Sequence, residues 1–273
     1  MRVLVTGAAS GLGAALTAAL RARGDEVLAT DLAGGSGFET GPGGPSSTTG
    51  ASSATDVVRL DITSDDDWAA ALALVEERWS GLDLLVNNAG VAGGGRIDVA
   101  GLDEWEWIVE INLLGVVRGC RTFVPMFKRQ RSGRIVNVAS LAGLVHPAGM
   151  ASYNAVKAGV VALTETLGHE LSPYGVGASV VCPSYFRTNL MDSLRGADEA
   201  LGAVVTQLVE RSPLTADDIA AAVLAGIDAG DEIILPDPAA RAAYDLKLRD
   251  RAAYDVQMRH QAARLEELGG PVP

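Results

Sequence analysis

The sequence predicts an α/β fold: a doubly wound, mostly seven-stranded parallel sheet with helices on both faces. Two observations carry this. Seven short runs rich in Val, Ile and Leu recur along the 273-residue chain. Most lack polar alternation, as expected of strands covered on both sides. Between them lie longer stretches whose apolar residues repeat at three- and four-residue steps, the period of an amphipathic helix. Strand–helix alternation repeated this often closes into a parallel sheet wrapped by crossover helices.

The elements follow in order. Arg2–Thr6 is the first strand, and the next stretch places Leu12, Ala15, Leu16, Ala19 and Leu20 on one helical face. Glu26–Thr30 and Val57–Leu60 are the second and third strands. Residues 33–54 between them hold seven Gly, five Ser and two Pro, where a crossover helix would normally sit. That composition favours a flexible Gly/Ser-rich insertion. Leu82–Val86, Arg134–Val138, Gly177–Cys182 and Glu232–Leu235 complete the sheet, with Val156, Val160, Leu163, Leu167 and Leu171 marking the helix after the fifth strand. One domain accounts for residues 1–235.

Residues 236–273 form a charged helical extension with six basic and six acidic residues. Within it, RAAYDLKLRD (241–250) and RAAYDVQMRH (251–260) are a near-repeat. Ten helical steps of about 100° give roughly 280°, so the two copies would not share a face of one helix. A solvated helix with local ion pairs is the expectation. Docking onto a partner subunit or across a pocket mouth is the alternative.

Composition excludes several classes. Lys plus Arg is 22 and Asp plus Glu 34, a net charge of −12 that argues against nucleic acid as a partner. No run of 18 apolar residues occurs, so no membrane span is expected and a cytoplasmic location is the default. The apolar stretch up to Leu20 loosely imitates a signal peptide, but Gly7, Ser10, Gly11 and Gly13 interrupt it. Cys120 and Cys182 are far apart with no metal-ligand spacing, so neither a disulfide framework nor a metal site is expected.

The interrupting residues have their own chemistry. The first strand runs directly into Thr6-Gly7-Ala8-Ala9-Ser10-Gly11-Leu12-Gly13, and a helix follows. Glycines there permit a tight turn and let backbone amides approach a pyrophosphate at the helix N-terminus. Asp31 ends the second strand, where a carboxylate can accept hydrogen bonds from ribose hydroxyls and would repel a 2′-phosphate. No Lys or Arg lies between Asp31 and Arg59, so NAD is favoured over NADP. Leu60-Asp61-Ile62 and Val86-Asn87-Asn88-Ala89-Gly90 fall just beyond strand ends, where open α/β sheets bind ligands. Tyr153 and Lys157 sit four apart on one helical face. A nearby ammonium favours the phenolate and lowers the tyrosine pKa, which suits proton exchange with an alcohol or carbonyl. Ser140 follows the fifth strand at the same sheet edge, and its hydroxyl can bond a substrate oxygen as charge develops.

On these motifs the sequence resembles the single-domain short-chain dehydrogenase/reductase family, a Rossmann-like fold. Thr6-Gly7-xxx-Gly11-x-Gly13 is similar to its cofactor fingerprint, and Asn87-Asn88-Ala89-Gly90 to its sheet-stabilising tetrad. Asn112, Ser140, Tyr153 and Lys157 match its catalytic Asn-Ser-Tyr-Lys set. The resemblance implies that Tyr153 exchanges the proton, Ser140 orients and polarises the substrate oxygen, and Lys157 holds the nicotinamide ribose. It further implies that Asn112 keeps a water in a proton relay, that Asp61 and Ile62 contact adenine, and that Asn87 lies on the adenosine side. Pro183-Ser184-Tyr185-Phe186-Arg187-Thr188 resembles a Pro-Gly-x-x-x-Thr motif, with the Phe186 backbone and Thr188 hydroxyl near the carboxamide. Ser184 departs from the usual glycine. Asn189–Thr215 falls where the family keeps its substrate-covering segment, and its apolar content hints at a substrate with a hydrophobic body.

The implied activity is hydride transfer between NAD and a secondary alcohol or ketone, by a homodimer or homotetramer paired through the helices carrying Asn112 and Tyr153. A non-catalytic NAD-binding sensor and an epimerase with tightly held NAD are the alternatives.

Overall fold

The structure, a computed structural model, describes residues 1–34 and 57–269. Seven strands, β1 (Arg2–Thr6), β2 (Glu26–Asp31), β3 (Val57–Arg59), β4 (Leu84–Asn87), β5 (Arg134–Val138), β6 (Gly177–Val181) and β7 (Ile233–Ile234), form one sheet. Every pairing is parallel, in the order β3-β2-β1-β4-β5-β6-β7. The order reverses between β1 and β4, which opens a crevice beyond the strand ends.

Helices cover both faces: α1 (Gly11–Ala22), α2 (Asp65–Trp79), α3 (Leu102–Val109), α4 (Gly115–Gln130), α5 (Ala142–Val145), α6 (Ala151–Leu171), α7 (Glu199–Glu210), α8 (Ala216–Ala229), α9 (Pro238–Arg249) and α10 (Arg251–Gly269). A π-helical turn, Glu110–Leu114, joins α3 to α4. Along β1, Leu4 packs into a core with Trp68, Phe123, Phe127 and Val160, while Val3 and Val5 pack on Leu16, Leu20, Ile219 and Val223. Successive strand residues point to opposite faces, and here both faces are apolar, which is why the strands show no polar alternation.

Local chemistry sets the helix starts. Ser64 caps α2 by accepting from the Asp67 amide, Thr215 and Asp218 form a reciprocal capping box on α8, and Asp237 caps α9 with Pro238 at its first position. Residues 35–54 of the predicted Gly/Ser-rich insertion lie outside the described residues.

The extension departs from the expectation of a solvated helix. It is two helices, broken at Asp250, whose φ of −140° leaves the helical region and whose carboxylate accepts from the Ala253 amide at 2.9 Å. The break resets the register, so the near-repeat places both Tyr244 and Tyr254 against the core, Tyr254 fully buried. The Tyr254 hydroxyl donates to the Val145 carbonyl, and Lys247 Nζ donates to the Leu144 carbonyl at 2.5 Å. The extension is therefore docked on α5.

Candidate active site

Parallel strands all end at one edge of the sheet, and a cavity of about 1530 Å³ opens there. That exceeds the roughly 300–1,000 Å³ usual for a single small ligand. The lining runs from Asp31 past the β1–α1 turn to α7 and α10.

Gly7, Ser10, Gly11 and Leu12 border the cavity. Gly7 has φ +66°, and a Cβ there would lie 2.8 Å from the Ala89 Cα. Gly13 sits beneath the turn instead: a Cβ on it would meet the Gly7 carbonyl oxygen at 2.0 Å. Only glycine lets α1 pack that closely on the turn. The Ser10 side chain makes no cap bond, so the first amides of α1 are left without a side-chain acceptor at the cavity edge. An uncapped helix start behind a glycine turn fits a pyrophosphate.

The asparagine pair divides its labour differently from the sequence expectation. Asn87 turns away from the cavity; its side chain is buried beneath the sheet edge, donating to Asn137 Oδ1 at 2.8 Å. It is the last residue of β4, and its side chain faces α4, where a Cβ on Gly119 would lie 2.3 Å from its Oδ1. Asn88 is the residue at the cavity. Its Nδ2 donates to the carbonyls of Thr6 (2.9 Å) and Gly7 (3.2 Å), bracing the turn. Ala89 and Gly90 follow it along the lining.

At the β2 end, Asp31 accepts from the amides of Ala9 (3.0 Å) and Ala33 (3.1 Å). Arg59 is its register partner on β3, but the guanidinium pairs with Asp67 at 2.9 Å. Burial would raise the Asp61 pKa, yet hydrogen bonds from the Thr63 hydroxyl (2.7 Å) and amide (2.9 Å) hold it below the usual carboxylate range. Ile62 packs against Gly115 and also borders the cavity. Pro183, Phe186 and Thr188 line the opposite wall, with Thr188 Oγ1 only 2.7 Å from where a Gly11 Cβ would stand. Ser184 donates through its amide (2.9 Å) and hydroxyl (2.7 Å) to Asp237, the cap of α9, and so ties this wall to the extension.

Ser140, Tyr153 and Lys157 converge on one wall. The Ser140 hydroxyl accepts from the Ala142 amide at 3.1 Å, and Lys157 Nζ donates to the Val138 carbonyl at 3.1 Å and stands 5.7 Å from the Tyr153 ring centroid. Burial pushes the Tyr153 phenol up to about 12, against the lowering effect of Ser140. Burial likewise pushes the Lys157 ammonium down to about 8. Against the expectation from the sequence, Lys157 is not among the groups that lower Tyr153 here; desolvation sets the direction, and the ammonium is directed to the Val138 carbonyl.

Asn112 lies in the π-helical turn, fully buried. Its Oδ1 accepts from the Val91 amide and its Nδ2 donates to the Val91 carbonyl, both at 2.9 Å. Val91 and Ile111 line the cavity, so Asn112 acts on its wall from behind. His146 is turned off the cavity: Lys247 donates to its Nδ1 at 2.8 Å and its Nε2 faces the Gly143 carbonyl at 3.1 Å.

Sequence reasoning missed the roles of Tyr185 and Asn88, and offered docking of the extension across a pocket mouth only as an alternative. Tyr185 lines the cavity beside Met150, Asn88 braces the turn, and one face of α10 closes one wall. Among the described residues no group of metal-ligating side chains is found and no helix is long and apolar enough to cross a membrane.

Known proteins share this arrangement. The family model described as short chain dehydrogenase matches residues 1–199. A trans-4-hydroxycyclohexanecarboxylate dehydrogenase from Sinomonas cyclohexanicum is 36% identical over 205 residues, 70% of this chain and 74% of the relative. The crystal structure of a short chain dehydrogenase/reductase from Burkholderia phymatum in complex with NAD superposes with a TM-score of 0.79 at 28% identity, covering 99% of this chain and 97% of the other. A short chain dehydrogenase from Burkholderia cenocepacia J2315 in complex with NADP gives a TM-score of 0.74 at 25% identity, over 94% and 99%. Shared sequence over most of the chain, joined to the glycine turn and the Ser140–Tyr153–Lys157 wall, shows that the protein belongs to the short-chain dehydrogenase family of oxidoreductases.

Proposed function

We propose that the protein interconverts a secondary alcohol and its ketone with NAD as hydride carrier and Tyr153 as acid/base. The convergence of Ser140, Tyr153 and Lys157 beside the glycine turn carries this reading. When bound, the nicotinamide supplies hydride acceptance or delivery at its C4. The chain's residues supply the rest. The amides of Gly11 and Leu12 and the turn at Gly7, Ser10 and Gly13 hold the pyrophosphate. Asp31 accepts from the adenosine ribose, Asp61 and Ile62 border the adenine, and Ala89 and Gly90 leave room for the ribose beside them. Pro183, Phe186 and Thr188 flank the carboxamide, and Lys157 binds the nicotinamide ribose. Ser140 polarises the substrate oxygen, Tyr153 moves its proton, and Asn112 positions Val91 and backs a relay from Lys157.

NAD is favoured because Asp31 fronts the cavity while Arg59 is engaged by Asp67, and residues 35–56 contain no Lys or Arg. The relative named for a cyclic secondary alcohol supports the reaction class. Residues 1–235 serve as the catalytic domain and 236–273 as a C-terminal extension docked through α9 and α10, and the chain pairs through the helical segments that carry Asn112 and Tyr153 as a homodimer or homotetramer; light scattering reads the oligomeric state.

The test is direct: the protein is incubated with NAD⁺ and a panel of secondary alcohols, and NADH absorbance is followed. Tyr153→Phe is expected to lose at least about 100-fold in rate, in line with the contribution of a positioned acid/base. Equal rates in the two proteins overturn the reading.

A further inference from the structure

One wall of the cavity is built by α7 and α10. Gln257, His260, Gln261, Arg264, Leu265 and Leu268 all border the cavity. Steps of three, one, three, one and three residues place them on a single face of α10. That face is held in place. Leu265 is buried, with its Cδ1 2.6 Å from where a Gly149 Cβ would stand, immediately before the helix that carries Tyr153. Arg96 bridges Asp198 at the start of α7 (2.9 Å) and Glu266 on α10 (3.3 Å), and Tyr254 bonds the Val145 carbonyl.

Met150 and Leu201 form one buried cluster with Tyr153 and with Leu265 of α10, Val205 packs on it, and Leu194 joins them on the cavity lining. The cavity therefore joins a proton-transferring wall, an apolar cluster and the polar α10 wall. Among the described residues, Arg264 has no carboxylate within ion-pair distance, although the chain carries twelve more acidic than basic residues. Two neighbouring charges, Asp198 and Arg195, are engaged, whereas Glu199 is exposed on the same lining with no ion pair among the described residues. Asp198 is taken by Arg96 and the α7 start, Glu199 stands in the first turn of α7 where the helix end favours an anion, and the Arg195 guanidinium stacks 4.9 Å from the Trp107 ring. Arg264 is exposed at the rim of this wall, where a guanidinium can receive a carboxylate through two parallel N–H···O bonds.

We propose that α10 is the specificity wall of this site and that Arg264, helped by His260 and Gln261, receives the carboxylate end of an amphiphilic hydroxy acid. The substrate's secondary alcohol lies at Ser140 and Tyr153 and its hydrocarbon body spans the apolar cluster. This deepens the proposed dehydrogenase activity and rests on it.

The experiment compares (ω−1)-hydroxy acids of six to nine carbons with their uncharged amides, turned over with NAD⁺ by wild type, Arg264→Gln and Arg195→Gln. A charge-assisted bond predicts a preference for the acid of about ten-fold or more in kcat/KM, expressed mainly in KM. Arg264→Gln is expected to erase most of that preference, while Arg195→Gln, a control for lost positive charge alone, retains it. A wild type without preference at any chain length overturns the proposal, as does a preference that survives in Arg264→Gln. Calorimetric binding of heptanoate and heptanamide separates the two readings. If no alcohol is turned over but heptanoate binds more tightly than heptanamide only when Arg264 is present, the carboxylate site stands and the dehydrogenase reading falls. If heptanoate has no advantage, the carboxylate site falls whatever the turnover.

Discussion

At the scale of single residues, burial decides the chemistry of the site. Burial of Tyr153 outweighs the lowering effect of Ser140 and holds it as a phenol far above neutral pH. A phenol donates, so in the reducing direction the required form is already present, and kcat/KM for ketone reduction is expected to stay nearly flat from pH 6 to 9. Oxidation requires the phenolate. With the pKa near 12, its fraction rises about ten-fold per pH unit over the same interval, and alcohol oxidation should climb with it. Parallel initial-rate measurements in both directions check this, and an oxidation rate that falls with pH contradicts it. The four-residue spacing of Tyr153 and Lys157 was legible in the sequence; the sign of the tyrosine shift was not, because desolvation comes from chain neighbours that spacing does not reveal.

At the scale of elements, the extension explains how a four-residue helix keeps its place. The helix α5 follows Ser140 directly, and its last carbonyls have no partner within so short a turn. Lys247 and Tyr254 supply the missing donors from outside, to Leu144 and Val145. Removing the buried Tyr254 hydroxyl leaves the Val145 carbonyl unpaired, so Tyr254→Phe is expected to cost about 1–3 kcal/mol of stability. Tyr244→Phe, at the matching position of the near-repeat, should cost far less, since its hydroxyl has no hydrogen bond among the described residues. Urea unfolding of the two variants measures the contrast, and equal midpoints would contradict the bracing role. The near-repeat was visible in the sequence, but its consequence depended on Asp250, a single residue that breaks the helix and restores the phase.

At the scale of the whole molecule, the strands and their parallel order were legible because doubly covered strands are apolar on both faces. The glycine turn was legible because it sits at the first strand end. Asn87 was misplaced for the same geometric reason that makes strands readable: successive side chains alternate, so of two adjacent asparagines only Asn88 faces the cavity. Asp31 and Tyr153 both line the cavity, and the NAD preference proposed for Asp31 is a property of the assembled edge. The carboxylate is fixed by two backbone amides and Arg59 is held by Asp67, so a 2′-phosphate there would meet a negative charge without compensation. A ligand that binds only the folded state stabilises it by about 2.7 kcal/mol at one hundred times its Kd. For a chain of this size each kcal/mol is worth roughly 2–4 °C, so saturating NAD⁺ should raise the melting temperature by about 5–10 °C. The same concentration of NADP⁺ should raise it far less, and Asp31→Ala should narrow the gap by removing the repulsion. A larger shift with NADP⁺ in the wild type would contradict the assignment of Asp31.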